Sequence, residues 1–302
     1  MIPLTPILAV VVTYNRPELL RQCLACLFAQ THPCEILVVD NASTDGTGEA
    51  MRALAAEGKI LYRNTGKNLG GAGGFSFGMR YAAEEGYKYA WIMDDDSLPK
   101  PDALELLVKA GERLGGPERY GFVSSRVLWT DGTDCVMNRQ KRLKKQIPEL
   151  QEEGLLLIKQ ATFVSLLIPT AHIWKYGLPL TPYFIWNDDI EYTHRLILRN
   201  RLPGYLVEQS HVIHAMDHNH GSNIAKDKVS RVDRYRLMYR NECNTYRQEG
   251  LKGIAFFLAH IGRDFFYILF LAKDHRKERF QALFRGVTEG IRFHPEIEYP
   301  QS

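Results

Sequence analysis

The sequence predicts an α/β fold, a mostly parallel sheet flanked by helices, with a helical extension at the C-terminal end. Three observations carry this reading. Continuous apolar, β-branched runs such as Ile7-Leu8-Ala9-Val10-Val11-Val12 mark strands buried on both faces. Helical patterns alternate with such runs, the order of βαβ units. From about residue 229 onward the patterns are helical. At 302 residues, 45% hydrophobic and 24% charged, the chain can build one large domain or a domain with an appendage. A net charge of +3 is too small to point to nucleic acid. Five cysteines without framework spacing favour a reducing compartment. Cys23 and Cys26 lie inside a predicted helix with no second pair, so they read as packed thiols rather than a zinc site. No basic leader precedes the first apolar run, and that run is too short to span a bilayer, so no signal peptide is expected.

In chain order, the first strand covers residues 7–14, and Asn15-Arg16-Pro17 opens a helix over 17–30 with Asn15 as cap. The second strand, 35–40, ends at Asp40 and a polar turn before a helix over 49–57. Ligands of such sheets bind beyond the carboxyl ends of the strands. Asp40 stands at that edge, as an acceptor for the imide N–H of a uracil or thymine or as a helix cap. A third strand, 60–63, leads to Asn68-Leu69-Gly70-Gly71-Ala72-Gly73-Gly74, read as a glycine loop admitting a ligand before a helix over 76–85. Its spacing fits neither a Rossmann fingerprint nor a P-loop.

The strand at 89–93 stops at Asp94-Asp95-Asp96, followed by a proline turn. Three like charges at a buried strand end are costly unless a cation neutralises them. Alternation points Asp94 and Asp96 the same way and Asp95 elsewhere, a hard-oxygen pair suited to Mg²⁺ or Mn²⁺. A helix is expected over 102–114, strands at 122–125 and 127–129, a mobile polar loop over 131–154, and a strand over 161–169. Tyr183-Phe184-Ile185-Trp186 then leads into Asp188, Asp189 and Glu191 at a helix start. An N-cap accounts for one carboxylate, and a general base for a sugar hydroxyl is a role for another. A final strand, 207–214, runs into a histidine-rich stretch, and of His194, His211, His214, His218 and His220 the strand-end His214 is placed in the site.

Together these stretches resemble the family 2 inverting glycosyltransferases of GT-A fold, most closely bacterial galactofuranosyl- and rhamnosyltransferases of surface-polysaccharide and cell-wall synthesis. The matching segments are 11–17, 39–47, 68–75, 94–96, 186–191 and His214, with Tyr239-Arg240-Asn241-Glu242 similar to an Arg-Asn element of that group. The resemblance implies that Thr13 and Asp40 contact base and ribose, and that Asn68 and Gly71 line the donor pocket. It implies Asp94, Asp96 and His214 as ligands of Mn²⁺ or Mg²⁺, Asp95 near the donor sugar, and Asp189 as catalytic base beside Asp188. A UDP- or dTDP-sugar would be the donor, with galactofuranose ranked before rhamnose, and a lipid-linked glycan the acceptor. His211, His218 and His220 crowd the metal-histidine position. A nucleotidyltransferase and a non-catalytic sugar- or lipid-binding module are the alternatives. Residues 1–225 are expected to form the catalytic domain, with a donor half to 100 and an acceptor half to 225, and 226–302 a helical region. The setting implied is cytoplasmic, on the inner face of the cell membrane. In residues 251–293 a wide aromatic face adjoins a basic segment, which suits contact with an anionic membrane surface. The same face suits docking on the catalytic domain or a homo-oligomer interface.

Overall fold

The computed structural model describes residues 5–301; residues 1–4 and 302, at the outer ends of the two expected regions, lie outside the described residues. One sheet organises the chain. Its strands are β1 (Ile7–Thr13), β2 (Glu35–Asp40), β3 (Leu61–Asn64), β4 (Tyr89–Asp94), β5 (Ser97–Pro99), β6 (Phe122–Leu128), β7 (Lys141–Arg142), β8 (Leu155–Gln160), β9 (Leu166–Pro169) and β10 (Gly204–His214). They lie in the order β3-β2-β1-β4-β9-β6-β10-β8-β7, with β5 paired to β10. Pairs β3–β2, β2–β1, β1–β4 and β6–β10 are parallel, whereas β9 and β8 run antiparallel to their neighbours.

The helices are α1 (Pro17–Phe28), α2 (Thr47–Ala56), α3 (Gly70–Glu84), α4 (Ala103–Arg113), α5 (Pro148–Glu152), α6 (Thr170–Tyr176), α7 (Asp188–His194), α8 (Val232–Arg247), α9 (Gly250–Leu271) and α10 (Arg276–Arg292). Strand alternation divides β1 between two cores. Leu8, Val10 and Val12 meet Phe75 and Met79 of α3 and Tyr192 of α7, while Ile7, Ala9 and Val11 meet Leu20 and Leu24 of α1 and Leu104 and Leu107 of α4. Every residue of β1 is buried, which is why its sequence shows no polar alternation. Cys23 sits in the second core as a free, packed thiol.

The structure corrects several local readings. Helix α3 starts at Gly70, so the glycines lie within its first turns rather than in a loop. They serve close approach: a Cβ on Gly74 would lie 2.4 Å from Val12 Cγ1, and one on Gly78 2.2 Å from Val10 Cγ1. Asn15 is not the cap of α1; its Oδ1 accepts from Thr44 N at 2.7 Å, and Arg16 precedes the helix. The segment 131–154 contains β7 and α5, and its polar residues bond inward, Gln140 Nε2 to Ser125 O at 2.8 Å and Asn138 Nδ2 to Thr162 Oγ1 at 2.9 Å. Of the strand expected over 161–169 only β9, from Leu166, forms; β8 ends at Gln160, and between them the chain bends, with Ser165 at φ 58°.

A buried hydroxyl chain ties β4, β6 and β10 to the bend before β9, at the irregularity in β10 between Val207 and His211. Ser125 Oγ lies 2.6 Å from Ser165 Oγ and 2.7 Å from Ser210 Oγ, and Trp91 Nε1 donates to Ser165 Oγ at 2.9 Å. Such an irregularity re-aims the strand beyond it, here the run to His214. After β10, α8 packs on α9 and α10 around Tyr235, Tyr239, Ile268 and Leu283. Residues 293–301 then return to the sheet's helices: Leu178 N donates to Glu298 O at 2.8 Å, and Arg80 bonds Tyr299 O and Glu298, each at 2.7 Å.

Helices α8 and α10 meet at Gly286, where an added Cβ would fall 2.5 Å from the Arg236 carbonyl oxygen. Backbone cannot yield as a side-chain tip does. Gly286→Val is therefore expected to destabilise the protein by about 1–3 kcal/mol, read as a lower midpoint in urea unfolding.

Candidate functional site

A cleft of about 740 Å³ opens at the carboxyl ends of β1 and β4. Thr13, the ends of α3 and α7, and one face of α8 line it together with Asp94, Asp95 and Asp96. The N-terminus of α3 presents Asn68 and Gly71 here, and Gly71 faces open space, with only Phe75 Cε2 as near as 4.0 Å to a Cβ built on it.

The aspartate run is handled unevenly. Past Asp96 the chain forms β5, whose Ser97 pairs with His214 of β10. That register sets His214 Nε2 3.0 Å from Asp96 Oδ1 although the residues are 118 apart in sequence. His214 Nδ1 donates to Asn138 Oδ1 at 2.7 Å. Burial alone would lower the imidazole, but the hydrogen bond to Asp96 and its charge outweigh it and push His214 up to about 10. Burial likewise works against the Asp96 carboxylate, yet His214 and then Arg16 hold it below the usual range. Asp95 turns toward β1 and accepts from Thr13 Oγ1 at 2.7 Å; Arg16 Nη1 reaches it at 3.3 Å and Asp96 at 2.9 Å. Burial nevertheless pushes Asp95 up to about 6. Asp94 has no hydrogen-bond partner among the described residues, and burial, then the charges of Asp96 and Asp95, push it up to about 8.

The facing wall is the start of α7. Phe184, Trp186 and Asn187 all have left-handed backbone, with φ of 63°, 65° and 70°. Such strain persists only when surroundings hold it. Asn241 of α8 does so, its Nδ2 donating to the carbonyls of Tyr183, Ile185 and Trp186 at 3.0, 3.1 and 2.8 Å. Arg240 adds bonds to Pro182 O at 2.7 Å and Tyr183 O at 3.2 Å. The turn delivers Asp188 and Asp189 into the cleft. Asp188 is buried, and burial, the Asp189 charge and a contribution from Asp94 raise it well above the usual carboxylate range. Asp189 Oδ1 accepts from Ile190 N at 2.7 Å, and burial pushes it up to about 6. Glu191 points away, buried between Arg195 and Arg199 as an ion-paired structural group.

Thr13, Asn68, Gly71, Asp94, Asp95, Asp96, Asp188, Asp189 and His214 all border this one cleft. Asp40 does not. Its Oδ1 accepts from Ser43 N at 2.8 Å and its Oδ2 from Tyr62 Oη at 2.8 Å, so it closes the turn after β2, and the residue before α2 is Gly46. The next residue, Asn41, lines the cleft instead, with a buried Oδ1 that has no partner while its Nδ2 donates to Gly70 O at 3.0 Å. Of the clustered histidines only His214 is in the lining; His218 and His220 stack on each other at 5.4 Å, and His194 faces Glu249 at 2.5 Å. Arg16, Asn41, Asn138 and Glu242 are cleft residues that the sequence reading did not select. Arg16 and Asn41 sit directly beyond strand ends, a position that could have marked them.

Among the described residues no group of three His, Cys, Asp or Glu side chains is arranged to hold a metal by itself. The donors suit a hard divalent cation in kind: Asp94 is unpartnered, Asp96 adjoins it, and the imidazole of His214 follows. An ion there would draw its other ligands from water and substrate oxygens.

A mixed sheet with a parallel core, its cleft beyond the strand ends and carboxylates facing each other across it, is an arrangement of the GT-A class of glycosyltransferase fold. Solved structures of that architecture superpose on the chain. S. aureus TarS 1–349, solved with UDP-GlcNAc, gives a TM-score of 0.62 at 16% identity, covering 93% of this chain and 81% of that one. GalNAc-T7, solved with UDP, GalNAc and Mn²⁺, gives 0.57 at 12% identity, covering 82% and 52%. The galactofuranosyltransferase GlfT1 of Mycobacterium tuberculosis is 34% identical over 209 residues, 65% of this chain, and the chain spans 66% of that relative's length. Residues 8–116 match the family model described as Glycosyl transferase family 2, and the chain belongs to that family.

The raised carboxylates have a consequence for stability. Between the ordinary aspartate value of 3.8 and the values of about 6 for Asp95 and about 8 for Asp94, the folded chain keeps protons that the unfolded chain has released. Stability therefore falls as pH rises through that window, and His214, held to about 10 from 6.5, extends the fall. In the presence of a chelator the thermal midpoint is expected to drop steadily from about pH 5 to about pH 8, with a shallower slope in Asp94→Asn.

Proposed function

We propose that the protein is an inverting glycosyltransferase that moves a sugar from a nucleoside diphosphate to a glycan hydroxyl. One observation carries this: two sets of buried carboxylates, Asp94 with Asp96 and Asp188 with Asp189, meet in a single cleft beside the N-terminus of a helix. A non-catalytic module would have no reason to retain Asp94 without a hydrogen-bond partner among the described residues, facing a buried Asp188 whose ionisation it opposes. A nucleotidyltransferase is disfavoured by the absence of a basic glycine-rich signature after β1, where the chain has Thr13-Tyr14-Asn15-Arg16.

In this reading residues 1–225 hold the reaction and 226–302 supply the wall formed by α8. Asn41, Thr13, Asn68 and Gly71 bound the donor pocket, and Asn41 Oδ1 takes the imide N–H contact first assigned to Asp40. Asp94, Asp96 and His214 would hold a Mn²⁺ or Mg²⁺, which would supply positive charge to offset that on the leaving diphosphate. Asp95, fixed by Thr13 and Arg16, borders the donor sugar. The acceptor oxygen bonds to the anomeric carbon as the bond from that carbon to the diphosphate oxygen breaks. Asp189 takes the acceptor proton: it is buried, anchored by Ile190 N, and ionised above about pH 6. Asp188 stays beside it as an acceptor contact.

The galactofuranosyltransferase relatives favour UDP-galactofuranose over dTDP-rhamnose as donor and a lipid-linked glycan as acceptor, in surface-polysaccharide or cell-wall synthesis at the cytoplasmic side of the membrane. Release of UDP from UDP-galactofuranose supports this reading. Release of pyrophosphate instead, or transfer from dTDP-rhamnose alone, overturns the reaction or the donor respectively.

Asp189→Asn keeps the shape but cannot take a proton, so turnover should fall by about 10²–10⁴-fold with donor affinity nearly unchanged. If Asp188→Asn is the crippling change, the two roles are exchanged. Wild-type kcat/KM should decline below about pH 6 as Asp189 protonates. Asp96→Ala should abolish donor binding that depends on Mn²⁺, measured by titration calorimetry, while the circular dichroism spectrum stays native.

A further inference from the structure

The outward side of α9 and α10 has no role in the cleft. Helix α9 is the one described helix long and apolar enough to cross a bilayer, yet most of its surface is uncovered by the rest of the chain. Leu258 is 61% exposed, Phe266 57%, Phe270 69% and, on α10, Phe284 54%. These are not scattered residues. Phe266 stacks on Phe270 with ring centroids 6.2 Å apart, Phe280 stacks on Phe284 at 6.1 Å, and Phe265 bridges to Phe280 at 5.0 Å. Between the two helices runs an open groove of about 560 Å³ whose lining, apart from Gln281, is Phe265, Phe280, Phe284, Leu269 and two cations, Lys277 and Arg285. Soluble surfaces rarely leave so continuous an apolar patch without something to cover it.

The charges say what covers it. Lys273, Lys277 and Arg285 make no ion pair among the described residues, whereas the neighbouring acids are engaged, Asp274 by Arg279 at 2.5 Å and Glu278 facing His275 at 3.7 Å. An apolar band edged by unneutralised cations complements an interface of acyl chains and anionic headgroups. A second copy fits poorly, because a two-fold contact would bring the same cations face to face.

The helix lies along such a surface rather than crossing it. Its polar stripe is tied to α8: His260 lies 2.9 Å from Glu242 and 3.2 Å from Asp264, and Tyr239 Oη donates to Asp264 at 2.8 Å. Spanning would break these contacts and place His260, Arg263 and Asp264 in hydrocarbon.

We infer that α9 and α10 dock the protein, with the groove facing down, onto an anionic lipid surface. This holds or fails independently of the transfer reaction. The full chain is mixed with vesicles of phosphatidylcholine alone, or with about one third phosphatidylglycerol, at about 0.1 M and about 0.5 M NaCl, and sedimented. Expected are binding to the anionic vesicles only, weakening at high salt, and a loss of about fivefold at low salt for each of Lys277→Ala and Arg285→Ala. The double variant F266E/F270E, whose side chains are exposed in the fold, should lose vesicle binding more than tenfold while keeping its thermal midpoint. Indifference of the wild type to anionic vesicles overturns the inference, as does undiminished binding by F266E/F270E. A wild-type dimer in light scattering that this double variant splits, without vesicle binding, assigns the face to a second copy instead.

Discussion

The structure turns on one electrostatic conflict, the burial of three successive aspartates at the end of β4. Charge in a poorly solvated pocket must be neutralised, protonated or paired, and here each residue meets a different fate. Asp96 is satisfied by His214 and Arg16, Asp95 by Thr13 and Arg16, and Asp94 by no hydrogen-bond partner among the described residues. Much of the surrounding architecture serves that distribution. The short strand β5 exists to pair with the end of β10, and the serine chain under the irregularity in β10 aims that end at Asp96. Asp188, raised by burial and by the charge of Asp189, lies across the cleft, presented by a strained turn that Asn241 clamps.

How much of this could be read from the sequence depended on whether the cause was local. Buried strands announced themselves because both faces of β1, β2 and β4 are apolar, but alternation did not sort the aspartates: Asp95 and Asp96 lie in the turn after β4 and share Arg16, while Asp94 stands apart. Residue types with two uses were harder. The glycines before residue 76 read as a loop because glycine permits one, but Gly74 lets α3 press against Val12, as Gly78 further along lets it press against Val10. Asp40 and Asn41 are adjacent polar residues at the same strand end, and only the position of Tyr62, from a neighbouring strand, shows which carboxyl or amide is already spent. Residues 131–154 read as solvated because the partners of Asn138 and Gln140, namely His214, Thr162 and Ser125, lie elsewhere in the chain.

The polar stripe on α9 shows the same limit from the other side. In sequence, His260, Arg263 and Asp264 interrupt an apolar helix without explanation. In the fold Asp264 reaches Tyr239 and His260 reaches Glu242 of α8, Arg263 pairs with Asp264, and Glu242 borders the cleft. A single row of contacts therefore connects the most apolar surface of the molecule with the wall of its site, through side chains too short to tolerate a shift of the helix by one turn.

The return of residues 293–301 to α3 and α6 bears on how the molecule is made. Arg80 of α3 finds Glu298 and Tyr299, and Leu178 finds Glu298, only when that last stretch is present. During synthesis from the N-terminus, the outer side of α3 stays uncovered until residue 301 has cleared the ribosome, although its inner side can settle on β1 far earlier. The sheet that carries the aspartates can thus form before residues 293–301 are made, while the outer side of α3 depends on protection until they reach it.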